Sequence, residues 1–336
     1  MPFLKSNKKH KKTPAITARA HRAFLGATLI WAAAGPVIKL TLTHIPPTSF
    51  LFYRFLIVCI VVLPYAIIEL SKTKIHKKDL FNLFILGIFS QTAIWIAFWA
   101  LKYTSALDYT IISLSGVILS IYGGHYFFKD KLNNKVVTGL ILATLGTLLV
   151  VVEPILNPHG ESLPITYRLF GNVIAVVFNL TWVAYILISK LAMGEESRIL
   201  KKYLQNINWK PMRREYSPTL IVTLSFYVGL ITLIPLFLLE QCGLFGNVSF
   251  DIFAIDTVSL FGLLYMALLS SIVAYMLYQW GLDNAHVSES AIYGYLSPVF
   301  TLPFAYILLG EVPNLYMIAG TILIATGVVI AEKESA

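Results

Sequence analysis

The segment LDNAHVSESAIYGYLSPVFTLPFAYILLGEVPNLYMIAGTILIATGVVIAE, Leu282 to Glu332, holds two long apolar runs parted by the break Gly310-Glu311-Val312-Pro313. LKYTSALDYTIISLSGVILSIYGGHYFFKDKLNNKVVTGLILATLGTLLVV, Leu101 to Val151, has the same outline at a constant offset. Asp108 falls under Glu289, Asp130 under Glu311, Asn133 under Asn314, Gly139 under Gly320 and Gly146 under Gly327. Upstream the register holds without a gap, with Leu83, Ser90, Ala93 and Trp99 under Leu264, Ser271, Ala274 and Trp280. Glycines, acids and tryptophans paired at one offset read as an internal duplication. With loop lengths free to differ, Trp31 and Lys39 recur as Trp182 and Lys190. Pro47-Thr48, Phe55, Pro64 and Glu69 recur as Pro218-Thr219, Phe226, Pro235 and Glu240.

With 57% hydrophobic and 13% charged residues, the chain lacks the polar surface to cover a soluble domain, so its solvent is a lipid bilayer. Apolar runs of about 20 residues, the length needed to cross hydrocarbon, fall near 23–43, 48–69, 80–101, 104–128, 135–152, 168–190, 218–240, 256–281, 285–309 and 313–331. Backbone in lipid must satisfy its own hydrogen bonds, and runs without period-2 alternation are helices rather than barrel strands. The expected fold is an all-α polytopic membrane protein of ten transmembrane helices in two five-helix repeats. Because five is odd, the second copy enters the membrane from the opposite face, the inverted arrangement used by secondary transporters, with a site near the midplane between the halves. The boundaries are a basic tail (1–22), a first repeat (23–152), an external linker (153–167) and a second repeat (168–332) carrying an insertion (193–217) read as a solvated linker. Lys and Arg of the tail, Lys72 to Lys78, Lys129 to Lys135 and the insertion all fall on one side, while the facing loops hold only Lys102 and Arg168. Both termini and the insertion are therefore expected in the cytoplasm, with the chain in the cell (inner) membrane. The net charge of +9 is explained by this topology, so no nucleic-acid partner is expected. Cys59 and Cys242 lie on different spans and are expected not to pair.

Several fragments carry a family likeness: Trp31 with Lys39, Pro47 with Arg54-Phe55, Ala100-Leu101-Lys102-Tyr103-Thr104-Ser105, Leu296-Ser297-Pro298-Val299 and Leu309-Gly310-Glu311. In order and spacing they resemble the EamA-like branch of the drug/metabolite transporter superfamily. The first half departs from that pattern, with Ala32 for the usual Gly after Trp, Gly116 for Pro, and Lys129-Asp130 for Gly-Glu. The resemblance implies ten helices, a cavity between the halves, and export or import of small metabolites, without implying one substrate.

Within the spans Arg54 lies seven residues past Pro47, about 10 Å along the helix. A charge at that depth is costly unless paired or hydrated, so Arg54 either faces a site or makes a structural pair with Asp108 or a capping carbonyl. Lys39 and Lys190 sit near helix ends and can snorkel; Glu69 and Glu240 read as interfacial. Asp108 and Glu289 fall in first helical turns, where an acid complements the helix dipole. Shared faces bring together Trp31 and Gly35, Gln91 and Trp95, Asn179 and Trp182, Tyr275 and Gln279, and Tyr293 and Ser297. Aromatic walls with a few amides and hydroxyls suit an amphiphilic or zwitterionic solute. Singly, each residue fits ordinary helix packing equally well; together they read as a substrate-binding lining. Gly139, Gly146, Gly320 and Gly327 should let the fifth and tenth helices pack closely.

The expected function is a secondary transporter, an exporter of small organic metabolites such as amino acids, working by alternating access with a proton or sodium ion as coupling partner, as monomer or homodimer. The alternative is an intramembrane enzyme of acyltransferase type, since His125 and Asp130 make an H-x4-D pattern, although the repeat puts Tyr306 in the histidine's place. The remaining histidines lie in tails, turns and span ends, and no phosphate-binding G-x-x-x-x-G-K-[ST] run occurs, so neither metal nor other cofactor is expected.

Overall fold

A computed structural model describes residues 14–128, 134–156, 164–194, 197, 199, 202, 212–244, 250–285, 293, 294 and 296–332. Its principal helices are α1 (Pro14–Thr41), α2 (Pro47–Lys72), α3 (Lys77–Tyr103), α4 (Ala106–Phe128), α5 (Asn134–Val151), α6 (Ile165–Ala192), α7 (Pro218–Gln241), α8 (Thr257–Asn284), α9 (Ser297–Leu309) and α10 (Leu315–Glu332). Seven of them, α1 to α4 and α6 to α8, are long and apolar enough to cross a membrane. Val137–Val151, Ser297–Leu309 and Leu315–Gly327 form shorter apolar helices. The chain is all-helical in its described residues, and its long apolar helices make it a multi-pass membrane protein.

Local chemistry sets the helix ends. α2 and α7 both begin on proline, whose missing N–H is not needed in a first turn. Ser217 also caps α7 by accepting from Leu220 N at 3.2 Å. α9 stops at Gly310 in a left-handed conformation (φ 69°), with Gly310 N and Glu311 N donating back to Tyr306 O and Ala305 O. That paired closure is easiest for a residue without Cβ. The basic tail expected to end at residue 22 gives way to helix from Pro14, and Ala20 is already buried.

α3 and α8 each contain a π-helical segment, Ile88–Thr92 and Tyr265–Val273, around Ser90 and Ser271. α1 packs on α8 and α9, and α6 on α3 and α4; α2 pairs with α7, and α5 with α10. The last contact passes through glycine: a Cβ on Gly146 would lie 2.6 Å from Gly320 O, so the backbones meet as close as the expected small-residue contact requires. Phe24, Phe50, Phe55, Phe98, Tyr185 and Phe226 fill the interior where these pairs meet.

Several polar side chains behave differently from the sequence expectation. Lys39 and Lys190 turn inward: Lys39 Nζ donates to Thr104 O at 2.7 Å and Lys190 Nζ to Ala285 O at 2.9 Å. Those carbonyls are the C-caps of α3 and α8, where a cation meets the negative end of the helix dipole. Glu240 is buried and accepts from Thr48 N and Ser49 N, capping α2 from the end of α7. Glu69 reciprocally accepts from Ser217 Oγ at 2.9 Å. The end of the insertion is docked rather than solvated, because Tyr216 Oη donates to Asp79 Oδ2 at 2.7 Å and Arg213 N to Asp79 Oδ1 at 3.0 Å, with Asp79 fully buried.

Candidate functional site: an aromatic cavity with one guanidinium

A cavity of about 250 Å3 is lined by residues of α1, α2, α3, α4, α6, α8 and α9 together with Gly294. Trp31 and Trp182 meet edge to face in its wall, 5.7 Å between centroids and 89° between planes. Tyr275 and Tyr278 each lie 5.2 Å from Trp31, closing an aromatic cage. Such pairs hold one another's orientation by quadrupole complementarity and leave ring faces for an apolar solute. The cage is anchored to the π segment of α8. A π turn interrupts the regular hydrogen-bond ladder, and neighbouring groups engage it: Trp31 Nε1 donates to Ser270 O at 3.0 Å, and Ser271 Oγ donates to Met266 O at 2.8 Å.

Arg54 lines the same cavity and is 2% exposed. Its Nε donates to Ser271 Oγ at 2.7 Å, and its guanidinium lies over the rings of Phe55 and Phe98 at 5.4 and 6.0 Å. No carboxylate pairs with it among the described residues. The pair with Asp108 is not made, because Asp108 sits 3.7 Å from Arg168 instead. A guanidinium so placed keeps donors for an anion, with aromatic faces supporting the charge.

Of the residues picked from sequence, Trp31, Arg54, Asn179, Trp182, Tyr275 and Ser297 line this one cavity. Asn179 also fixes α6 to α4, donating from Nδ2 to Ile112 O and Ser115 Oγ, both at 2.8 Å. Gln91, Trp95, Gln279 and Tyr293 lie outside the lining. Trp95 Nε1 donates to Thr48 Oγ1 at 2.9 Å, joining α3 to α2. Gln279 accepts from Tyr185 Oη at 2.8 Å and donates to Ser189 Oγ, joining α8 to α6. Tyr293 Oη meets His21 Nδ1 at 2.9 Å near the start of α1. Gln91 is fully buried in the π segment of α3, where the Tyr275 hydroxyl is its polar neighbour and neither amide atom makes a hydrogen bond of regular geometry. Phe98, Tyr109, Ser113, Phe178, Ser270 and Tyr278 also line the cavity and were missed. Tyr278 was within reach of the pattern, three residues beyond Tyr275 on the same helical face.

A second polar group joins the ends of α4, α5 and α6. Arg168, read from sequence as a loop cation, is fully buried in α6 and bonds Glu153 Oε2 through Nη2. Asp108 and Asn172, both fully buried, complete the cluster with Thr104. Asp108 does occupy the first turn of α4, where its N–H donates to Ser105 Oγ at 2.8 Å. Glu311 caps the same helix through Ala106 N and Leu107 N, both at 3.0 Å, and lies 3.2 Å from Lys39 Nζ. His125 is buried in the last turn of α4, while Asp130 and Glu289 lie outside the described residues. No group of three metal-ligating side chains occurs among the described residues.

Long apolar helices packed around an aromatic cavity define a polytopic membrane protein. The chain belongs to the EamA-like transporter family, whose model matches residues 19–152 and 208–332. An uncharacterized transporter of Archaeoglobus fulgidus is 27% identical to it, over 95% of this chain and 99% of its own. A probable amino-acid metabolite efflux pump of Salmonella typhimurium is 25% identical, over 90% of this chain and 91% of its own. A similarly named pump of Escherichia coli is 23% identical over the same shares. A solved crystal structure shares the fold with a TM-score of 0.59 at 14% identity, over 94% of this chain and 96% of that one.

Proposed function

We propose that this chain is a secondary transporter that exports small organic metabolites, amino acids or related carboxylates, across the cell membrane by alternating access. The observation that carries this reading is the cavity itself, whose wall includes Trp31 and Trp182, equivalent residues of the two halves, and whose one guanidinium among the described residues is Arg54. A chamber shared by two halves can be opened to either side by rocking one against the other. Ten transmembrane helices in two inverted repeats underlie the mechanism, with the seven long helices and three shorter apolar ones as the spans. Support comes from features that recur in both halves at matching positions: the π segments around Ser90 and Ser271, and Lys39 on Thr104 O beside Lys190 on Ala285 O. Both termini and the 193–217 insertion are cytoplasmic, a coupling proton or sodium ion drives the cycle, and the unit is a monomer or homodimer. The relatives named as amino-acid metabolite efflux pumps favour export.

The test is flux of labelled amino, hydroxy and keto acids in proteoliposomes under imposed proton or sodium gradients. Gradient-dependent flux above that of protein-free vesicles is expected, and its absence for every solute with every gradient sinks the proposal. Orientation is tested separately: a cysteine placed by Lys202→Cys should react with impermeant maleimide only from the cytoplasmic face.

A further inference from the structure

A guanidinium offers five N–H donors in a planar fork. In Arg54 the Nε is engaged by Ser271 Oγ, while the two Nη groups make no hydrogen bond or ion pair with any described residue. With Nε engaged by that one contact, the fork keeps the two parallel N–H groups at its end, on a side chain that lines the cavity. The contact has little freedom. Ser271 donates its own proton to Met266 O within the π segment, which leaves its oxygen as acceptor for Arg54. Both side chains are buried, Ser271 fully and Arg54 to 2% exposure, so bulk water does not compete.

Charge then narrows the ligand. Among the described residues lining the cavity Arg54 is the only cation, and none is a carboxylate. One positive charge in a cavity with a mostly apolar lining balances one negative charge. A phosphate ester, at about −1.5 to −2 near neutral pH, or a dicarboxylate would carry surplus charge into surroundings that solvate it poorly. A carboxylate has one charge and two coplanar oxygens that match the fork. We infer that Ser271 is a positioning residue for Arg54, and that the fork it aims selects a singly charged carboxylate over a phosphate or a dicarboxylate. The inference rests on the proposed transport function with Arg54 as its anion site.

The experiment uses the purified full chain and two probes with the same ring, phenylacetate and phenyl phosphate. Binding is read as ligand-induced thermal stabilisation, and flux in proteoliposomes separates KM from kcat. The wild type should bind phenylacetate at least ~10-fold more tightly than phenyl phosphate, the factor one good hydrogen-bonded contact provides. Ser271→Ala should raise KM for phenylacetate by ~10-fold with kcat kept, and should erase the preference between probes. Ser271→Cys, which keeps the volume and weakens the acceptor, should fall between, and it serves if the alanine variant does not accumulate. Arg54→Gln should bind neither probe. If both Ser271 variants keep wild-type affinity and preference while Arg54→Gln loses binding, the positioning role is overturned and the anion site stands. A wild type that prefers phenyl phosphate overturns the selectivity. If folded Arg54→Gln binds phenylacetate as the wild type does, or the wild type binds neither probe, the anion-site reading itself falls.

Discussion

Lys190 Nζ donates to the carbonyl oxygen of Ala285 at 2.9 Å from a side chain that is only 3% exposed. The carbonyl ends α8, so a buried ammonium closes that helix at its negative pole. Lys39 does the same for Thr104 at the end of α3, from a side chain 21% exposed and shared with Glu311. Lys190→Met strips the helix end of its donor where water has least access, and should lower stability by about 1.5–3 kcal/mol, the range for a hydrogen bond to a charged group. Lys39→Met should cost less. Thermal unfolding in detergent ranks the two; the reverse ranking would show that burial does not set the value of these caps.

The docked end of the insertion responds to high pH. Burial, and then the hydrogen bond to Asp79, push the Tyr216 hydroxyl up to about 12 from its usual 10. A phenol whose folded value is raised contributes stability fully present below pH 10 and lost as pH rises through about 12. Hydrogen exchange at the start of α7 should accelerate across that window. Tyr216→Phe should show fast exchange at all pH values, and a wild-type profile flat to pH 12 would refute the coupling.

The α5–α10 contact is bounded by backbone. A methyl on Gly146 meets Gly320 O at 2.6 Å and Ile324 Cγ1 at 2.8 Å, so Gly146→Ala should destabilise by about 1–3 kcal/mol. Gly35→Ala meets nothing nearer than Thr110 Oγ1 at 3.9 Å, and should instead stabilise by about 0.5–1 kcal/mol because alanine loses less backbone entropy in a helix. Equal melting temperatures for the two variants would contradict the close approach.

Periodicity and the constant offset were enough to expect an all-helical membrane chain and the glycine contact of α5 with α10, because both follow from hydropathy and side-chain size along one strand of sequence. The cavity was half legible: Trp31, Trp182 and Arg54 stand out as large or charged groups within apolar runs. What could not be read was where a polar side chain finds its partner. Gln279 and Trp95 look like lining by helical spacing, yet Tyr185 and Thr48 claim them across helix pairs that no local pattern specifies. The π segments were invisible for the same reason, since an extra residue in a turn leaves no mark in hydropathy. Arg168 was misplaced because its partner Glu153 lies across a connection that looked like solvent-exposed linker.

Gln91 is a stability liability in the state described. Both of its amide atoms are buried without a hydrogen bond of regular geometry, with only the Tyr275 hydroxyl beside them, and a buried polar group left unsatisfied costs about 1–3 kcal/mol. Gln91→Leu keeps the volume and removes the unsatisfied dipoles, so the melting temperature should rise. A fall would show that the amide is engaged in the resting protein.

The Arg168 cluster allows a graded prediction. Glu153 bonds the guanidinium directly, whereas Asp108 Oδ2 stands 3.7 Å away and also accepts from Thr104 Oγ1 at 3.4 Å. All three ionic side chains are fully buried, and removing one partner of a buried pair leaves a charge that neither water nor protein solvates, at a cost of about 3–5 kcal/mol. Glu153→Gln should approach that figure. Asp108→Asn keeps the Ser105 contact to its N–H and takes away the more distant charge, so it should cost about 0.3–1 kcal/mol for the lost dipole interaction and a further part for the ion pair. Unfolding of the two single variants and the double variant closes a mutant cycle. Coupling between the sites is expected, because both charges act on one guanidinium. Strictly additive losses would mean that Asp108 serves only its own helix, and a larger loss from Asp108→Asn than from Glu153→Gln would reverse the assignment of Arg168's principal partner.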